Sequence, residues 1–336
     1  MPNLAHVFTV NLSKFGMKDI CRILLVGSVL ITETVFAQQD PQVSMYMFNR
    51  QFFNPAYAGA AGAPNLTLQG REQYVGIQGH PRTFNLAGSL PVKKLRGGVG
   101  GYIMGDQVGF WNTTSLNLAY AFHLPIGHNG SALQLGIQGT FSNKSLDFSK
   151  LNPAEQGDQV LMNAAGSTKS QFAPSVGAGV YFRTAEDKFY FGISANHINS
   201  PKITEFGKET NLSLVTYVNA GYRFRLNSNG DINLTPSVLY KMTSPQSQLD
   251  FNLNLNVSPM VFGVSYRGLK NTDAILGIVG FHANERLFVA YSYDYVMNGL
   301  RSSTSGSHEL IVSYTFPTVF KVYPPDRGVR DNKPFN

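Results

Sequence analysis

Apolar and polar residues alternate strictly in one stretch of the chain. From Gln248 to Ser258 the sequence reads Gln-Leu-Asp-Phe-Asn-Leu-Asn-Leu-Asn-Val-Ser, with asparagine recurring in the polar positions. Because neighbouring side chains of a β-strand point to opposite faces, this stretch predicts a strand with one apolar and one wetted face. Asparagine is a poor strand former, so its repeated use indicates a polar face that meets water in a confined space.

The same alternation recurs from Asn65 to Phe316 and predicts a membrane barrel. It divides this region into about fourteen strand-like segments, which are 65–75, 82–92, 97–105, 111–124, 131–145, 172–184, 188–198, 211–226, 231–242, 248–258, 260–268, 274–283, 286–297 and 307–316. An even number of strands brings both chain ends of a bacterial barrel to the periplasm. The pattern therefore predicts an all-β fold, an antiparallel transmembrane outer-membrane β-barrel of about 14 strands. A soluble β-sandwich alternates similarly, but it would not need so many long strands in a uniform hairpin order.

The lengths of the connections agree with a barrel. The three longest breaks, at 146–171, 199–210 and 298–306, all follow odd-numbered segments. Compact turns, such as 184–187 and 227–230, follow even-numbered segments. Outer-membrane barrels have longer extracellular loops and short periplasmic turns, so we expect the compact turns to face the periplasm.

Strand parity also predicts which charges face the lumen. In segment 211–226, Asn219 shares the inward face with Arg223 and Arg225, while the outward face carries Leu212, Leu214, Val218, Ala220, Tyr222 and Phe224. Arg183, Arg223 and Arg225 are expected near the periplasmic mouth, with other inward charges at Lys241, Asp250, Asp294 and Glu309. Two interpretations stay open: a salt-bridged lumen that is filled with water or plugged, and a dedicated ligand site.

The first 37 residues have the features of a secretory signal peptide. Three basic residues precede an apolar stretch at 23–31, and Val35-Phe36-Ala37 supplies a small-x-small cleavage site. Met17 begins a conventional signal peptide and is a candidate for the true translation start. We therefore expect an outer-membrane location after cleavage behind Ala37, and four regions: signal peptide 1–37, N-terminal plug segment 38–64, barrel 65–316 and periplasmic C-terminal tail 317–336.

The sequence predicts no catalytic, metal or cofactor site. Cys21 precedes the expected cleavage point, so the mature chain has no thiol for a disulfide, a zinc site or a nucleophile. The histidines are scattered singly, without a Ser/His/Asp motif or metal-ligand spacing. Gly97-Gly98-Val99-Gly100-Gly101 precedes no helix pattern, and we expect it to let a strand curve or a plug approach the wall. The formal charge of +7 comes without a basic block interleaved with aromatics, which argues against nucleic-acid binding.

The N-terminal segment carries the most specific signal in the chain. It reads Gln39-Asp40-Pro41-Gln42-Val43-Ser44-Met45-Tyr46-Met47-Phe48-Asn49 and continues to Phe53-Asn54-Pro55-Ala56-Tyr57-Ala58-Gly59. Asn54-Pro55 begins a turn and Gly59 permits a positive φ, while the many aromatic residues suit burial in the lumen or against a partner. The form D-P-x-x-S-x-Y-M-F-N, then N-P-A-Y-A-G, after a signal peptide resembles the PorP/SprF family of the type IX secretion system in Bacteroidetes. The elements Arg71-Glu72-Gln73-Tyr74-Val75-Gly76 and Ser307-His308-Glu309-Leu310 extend the resemblance along the mature chain.

The resemblance implies a non-enzymatic outer-membrane component of the type IX machinery, surrounded by outer-membrane lipid. Family members assist the secretion or surface attachment of specific cargo, such as gliding adhesins, often through the cargo's C-terminal domain. The motif match carries over Asn54, Pro55, Tyr57 and Gly59 as structural or partner-docking residues. From the residues alone, an outer-membrane channel for uptake of a small or hydrophobic solute is the alternative.

Overall fold

The structure, a computed structural model, describes residues 40–127, 129–147, 168–205, 208–243, 246–269 and 272–317. The predicted signal peptide, the candidate start at Met17 and the tail from residue 318 onward lie outside the described residues. The strands are β1 (Asn65–Glu72), β2 (Arg82–Val92), β3 (Gly97–Val108), β4 (Trp111–Ile126), β5 (Ser131–Asp147), β6 (Thr168–Arg183), β7 (Phe189–Asn196), β8 (Lys202–Glu205), β9 (Lys208–Asn211), β10 (Val215–Tyr222), β11 (Phe224–Arg225), β12 (Ile232–Thr243), β13 (Gln246–Val257), β14 (Met260–Gly268), β15 (Thr272–His282), β16 (Leu287–Val296) and β17 (Ser307–Thr315).

The main sheet closes on itself into an antiparallel barrel. β1 pairs with both β2 and β17, with Asn65 opposite Thr315, so the first and last strands are neighbours. β10 pairs with β7 on one side and β12 on the other, and the short β11 continues the same line. Counting β10 and β11 as one interrupted strand gives a closed barrel of 14 strands, which confirms the predicted fold.

The predicted strand positions agree closely with the observed ones, with one omission. The predicted segments 82–92 and 260–268 have the same bounds as β2 and β14. The predicted break at 199–210 is a connection between two barrel strands, and β8 and β9 form a separate two-stranded sheet there that the sequence analysis did not predict. These strands have four residues each and are largely polar, so they lack the alternation from which the longer strands were predicted.

The barrel has two distinct ends. We call the end with the connections after β1, β3, β5, β7, β12, β14 and β16 the loop end, and the opposite one the turn end. The long connections after β5, β7 and β16 all belong to the loop end, although residues 148–167 lie outside the described residues. Since outer-membrane barrels place short turns in the periplasm, the turn end is assigned to that side.

Parity places the side chains largely as predicted. The outer wall exposes large apolar residues such as Phe224 (47%) and Leu310 (49%), whereas Asn219 is 7% exposed inside. Asn252 and Asn254 of β13 also face inward and are buried. Within the described residues, no helix is long and apolar enough to cross a membrane.

The lumen is not a purely polar space, because residues from 40 onward fill it. Three single turns of 3-10 helix occur there, at Tyr46–Phe48, Arg50–Phe52 and Pro55–Tyr57. The principal hydrophobic cluster joins this segment to inward apolar wall residues, with the segment contributing Val43, Met45, Tyr46, Met47, Phe52 and Phe53 and the wall contributing Tyr102, Met104, Val215, Tyr217, Leu239, Ile278 and Ile311, among others. The core of this barrel therefore lies inside the lumen.

Candidate functional site

Residues 40–64, here called the plug segment, run through the lumen from the loop end to the turn end. The Asp40 carboxylate accepts a hydrogen bond from Tyr217 (3.0 Å) and contacts the ring of His197 (3.1 Å), both near the loop end. At the other end, the Pro64 carbonyl accepts a hydrogen bond from the Phe316 amide at 2.8 Å. β1 does begin at the turn end, as the parity argument required. The first described residue, Asp40, lies at the opposite end, so the plug segment crosses the lumen before β1 begins.

A buried ion-pair network fixes the plug segment near the loop end, and Arg267 of β14 is at its centre. Its guanidinium pairs with Asp250 of β13 at 3.0 Å and with Asp294 of β16 at 3.1 Å. The same group donates hydrogen bonds to the Val43 carbonyl and the Ser44 hydroxyl, each at 3.1 Å. One arginine thus links two wall carboxylates to the plug segment.

Arg71 and Glu309 form the other half of this network. Arg71 of β1 pairs with Asp294 at 2.7 Å and with Glu309 of β17 at 3.1 Å. Glu309 accepts hydrogen bonds from the backbone amides of Ser44 (2.7 Å) and Met45 (2.9 Å). The five charged residues of the network are at most 3% exposed. Buried charges are tolerated only when they are paired and hydrogen-bonded, so this arrangement depends on the plug segment being in place.

Aromatic contacts hold the middle of the plug segment. Phe52 lies 5.0 Å from the Tyr102 ring and Phe53 lies 5.3 Å from the Tyr217 ring, measured between centroids. The Tyr46 hydroxyl lies 3.0 Å from the Ser237 hydroxyl across the lumen. Burying an aromatic side chain contributes about 1.5–3 kcal/mol, so these residues add substantially to the polar anchors.

The motif residues Asn54, Pro55, Tyr57 and Gly59 lie in the second half of the plug segment. The Asn54 side-chain oxygen accepts a hydrogen bond from Ala56 N at 2.9 Å, and the Asn54 side-chain amide donates one to Val180 O at 3.0 Å. Pro55 is the first residue of the following 3-10 turn. The Tyr57 ring packs edge-on against Tyr181 at 5.4 Å between centroids. These contacts join the motif to the inner wall of the barrel. We therefore propose a structural role for the motif.

Glycines on the inner wall make room for this turn. A Cβ atom at Gly136 of β5 would lie 2.2 Å from Ala56 N, and one at Gly98 of β3 would lie 2.4 Å from the Gly59 Cα. Gly59 itself has a φ of +72°, a value that L side chains rarely adopt. For the Gly97–Gly101 stretch, this supports the alternative in which the plug approaches the wall.

The motif in the plug segment and the closed barrel are both consistent with a known protein family. The model of the type IX secretion system membrane protein PorP/SprF matches residues 35–314. This chain belongs to the PorP/SprF family. As a barrel of this family it is an outer-membrane protein, and the family implies a membrane component of the type IX secretion system.

Several solved structures are similar to this PorP/SprF chain, each at low sequence identity. Omp33 of Acinetobacter baumannii is 8% identical with a TM-score of 0.41, over 76% of this chain and 99% of that chain. CymD, a monoaromatic hydrocarbon channel, is 12% identical with a TM-score of 0.45, over 79% and 92%. The Pseudomonas putida toluene transporter TodX is 10% identical with a TM-score of 0.45, over 80% and 93%. No curated protein matches the chain.

The predicted lumen arginines of this PorP/SprF protein lie at the turn end, where Arg183 shares a carboxylate with the plug segment. Arg183 lies 3.4 Å from Asp187, and the same carboxylate lies 3.4 Å from Arg50 of the plug segment. Arg223 borders a cavity beside the plug segment. Arg225 is exposed, and together with Arg223 it borders a second cavity at the turn end.

Sequence reasoning missed the arginines of the loop-end network. It placed Asp250, Asp294 and Glu309 on the inner wall, but it did not identify Arg71 and Arg267 as their partners. Strand parity could have identified Arg71 as an inward charge, because it shares the inward face of β1 with Thr67 and Gln69. In the part of the chain that the structure describes, no group of three or more His, Cys, Asp or Glu residues is placed to hold a metal ion.

The contact between Asp40 and His197 makes the loop end sensitive to pH. Burial alone would raise the pKa of the Asp40 carboxyl, but the charge and hydrogen bond of His197 hold that pKa below its usual range. Burial would lower the pKa of the His197 ring, but Asp40 raises it above the ordinary value of about 6.5. The pair is therefore most stabilising between about pH 4 and pH 6.5, and its contribution is lost as the pH rises through the raised pKa of His197.

We accordingly expect the start of the plug segment to loosen when the pH rises from 5.5 to 8.5. A nitroxide label on Gln42→Cys, in otherwise thiol-free protein, would report this as narrowing of its spectral lines. Lys241 and Tyr217 also contact Asp40, so His197→Gln is the control that isolates the histidine. An equal pH response in the His197→Gln protein would contradict the assignment.

Proposed function

We propose that this protein is a non-enzymatic component of the type IX secretion machinery that docks cargo rather than conducting solutes. In this proposal it assists the secretion or surface attachment of specific cargo, such as gliding adhesins, by docking the cargo's C-terminal domain. The observation that carries the proposal is the plug segment, which fills the lumen and is tied to five wall strands by the buried network. A barrel whose lumen is occupied by its own chain is better suited to act as a docking scaffold than as an open channel.

The way in which the buried charged groups are used supports the non-enzymatic part of the proposal. Arg71 and Arg267 are each engaged by two carboxylates and by Ser44. Groups committed to such a network are poorly placed for general acid or base work, which needs a group within reach of a substrate proton. Uptake of a small solute is the alternative, and it would require the plug segment to leave the lumen or shift within it.

The test is deletion of the gene, followed by comparison of secreted proteins, surface proteins and nutrient uptake with the parent strain. We expect a defined subset of secreted or surface-attached proteins to be lost, with small-solute uptake unchanged. Complementation with the wild-type gene should restore the subset, and an empty vector should not. An unchanged secreted and surface profile combined with lost uptake would overturn the proposal in favour of the channel.

A further inference from the structure

A groove crosses the outer wall of the barrel near the loop end. It has a volume of about 600 Å³, which is within the roughly 300–1,000 Å³ typical of ligand sites. Three consecutive residues border it on each of five strands, at 70–72, 82–84, 105–107, 112–114 and 308–310. The first and last residues of every triplet point outward, and the middle one points to the lumen. The groove therefore faces the membrane and is separate from the lumen.

The strand register aligns the outward side chains of the groove in two rows. The row nearer the loop end, here called the polar row, consists of His308, Glu72, Arg82, Gln107 and Asn112. The second row lies two residues along each strand toward the turn end and consists of Leu310, Gly70, Phe84, Gly105 and Thr114. Two residues of a strand span about 7 Å, so polar and mainly apolar side chains meet within this groove. Such a change marks the edge of the apolar band of a membrane barrel.

The two glycines of the second row open slots between larger side chains. Gly70 lies between Leu310 and Phe84, which are both exposed, and Gly105 lies between Phe84 and Thr114. A Cβ atom at either glycine would meet nothing within 4 Å, so each slot is open to the membrane. Neighbouring strands are about 4.8 Å apart. Each slot is therefore about one strand wide, which is enough to hold an extended acyl chain.

The polar row offers hydrogen-bond donors and acceptors at balanced charge. Arg82 lies 3.5 Å from Glu72, and more than half of each side chain is exposed (58% and 53%). The His308 ring contacts the Tyr291 hydroxyl at 2.6 Å, and the amides of Gln107 and Asn112 complete the row. The row crosses five strands, or about 19 Å. Sugar hydroxyls, each both donor and acceptor, can bond along this length, whereas the single phosphate and amine of a phospholipid head match only Arg82 and Glu72.

We propose that the groove binds a glycolipid of the outer leaflet, with its sugar head on the polar row and an acyl chain in each glycine slot. The loop end lies opposite the periplasmic turn end, so the groove opens into the outer leaflet. That leaflet of bacterial outer membranes is composed largely of sugar-bearing lipid. The site lies on the outer wall, so this inference is independent of the proposed docking of cargo.

Lipid titration of the purified detergent-solubilised protein, followed by native mass spectrometry, tests the proposal. The two probes share a dimyristoylglycerol body and differ in the head, which is a diglucosyl group in one and phosphoethanolamine in the other. We expect the sugar-headed lipid to bind at least about 10-fold more tightly, because it makes additional hydrogen bonds along the polar row. Replacing Glu72→Leu and Arg82→Leu together should remove that preference.

Leucine substitutions at the glycines test the slots. Gly70→Leu and Gly105→Leu should each weaken the binding of both lipids by about 10-fold, because the new side chain occupies a slot. Gly277→Leu is the matched control, since Gly277 is exposed on the outward face of β15, away from the groove, and a Cβ atom there would also meet nothing within 4 Å. Heat-modifiable migration in gels checks that each variant has kept its barrel. Equal binding of the two heads, a sugar preference that survives the loss of Glu72 and Arg82, or slot variants that bind like Gly277→Leu would each overturn the proposal.

Discussion

Replacing Arg267 with alanine is expected to release the plug segment from the lumen while the barrel stays folded. The substitution leaves Asp250 without its arginine partner and removes two hydrogen bonds to the plug segment, at Val43 and Ser44. Breaking a buried ion pair by removing one partner costs about 3–5 kcal/mol. Since 1.4 kcal/mol corresponds to a factor of ten, the detached state should become more than about 100-fold more populated.

Limited trypsin digestion measures this release. Arg50 lies in the plug segment and its side chain is 12% exposed, so cleavage behind it requires detachment. We expect a fragment beginning at Gln51 to accumulate much faster from Arg267→Ala than from the wild type. Arg301→Ala removes an exposed arginine whose guanidinium lies over the Tyr295 ring, and this control should digest like the wild type. Equal protection of Arg50 in all three proteins would show that the network does not hold the plug segment.

Replacing Gly136 with valine is expected to displace the second half of the plug segment. A Cβ atom there would lie 2.2 Å from Ala56 N and 2.4 Å from Pro55 C. Both are backbone atoms, which cannot turn aside as a side chain would. Overpacking of this kind costs about 1–3 kcal/mol and occasionally more. We expect a lower thermal midpoint in detergent and faster trypsin cleavage behind Arg50.

Gly139→Val provides the matched control on the same strand. Gly139 lies on the outward face of β5, and a Cβ atom there would meet only the Phe141 ring at 3.9 Å. An outward valine in contact with lipid or detergent should change stability by less than about 0.5 kcal/mol. If the two valine variants have the same thermal midpoint and the same digestion rate, the close contact between β5 and the plug segment is not a constraint on the fold.

The barrel could be predicted from the sequence because its strands repeat one local rule. Apolar and polar residues alternate along each membrane strand. Asn252 and Asn254 could therefore be placed on the inner wall without knowing which strands lie beside them. Strand ends were harder to predict, because the alternation weakens where chains leave the membrane, as at Thr168 of β6. The β8–β9 hairpin was missed for a related reason, since it is short, polar and stabilised outside the barrel.

The arrangement of the plug segment depends on long-range contacts and could not be predicted in the same way. Its aromatic residues predicted burial, and the turn at Asn54-Pro55 was recognised, but its direction through the lumen has no local signal. The partners of Glu309 are separated from it by more than 200 residues in sequence. The expectation of a polar lumen was also wrong at inward apolar residues such as Tyr217 and Ile311. These residues pack on the plug segment instead of contacting water.

Single-channel recording in planar bilayers tests most directly whether the plug segment closes the lumen. The comparison is between the wild-type protein and a variant that lacks residues 40–60. We predict no conductance steps for the wild type, because the network around Arg267 and the aromatic contacts keep the lumen filled, and stable open-pore steps for the shortened variant. Open-pore conductance of the wild-type protein, equal to that of the shortened variant, would contradict the account.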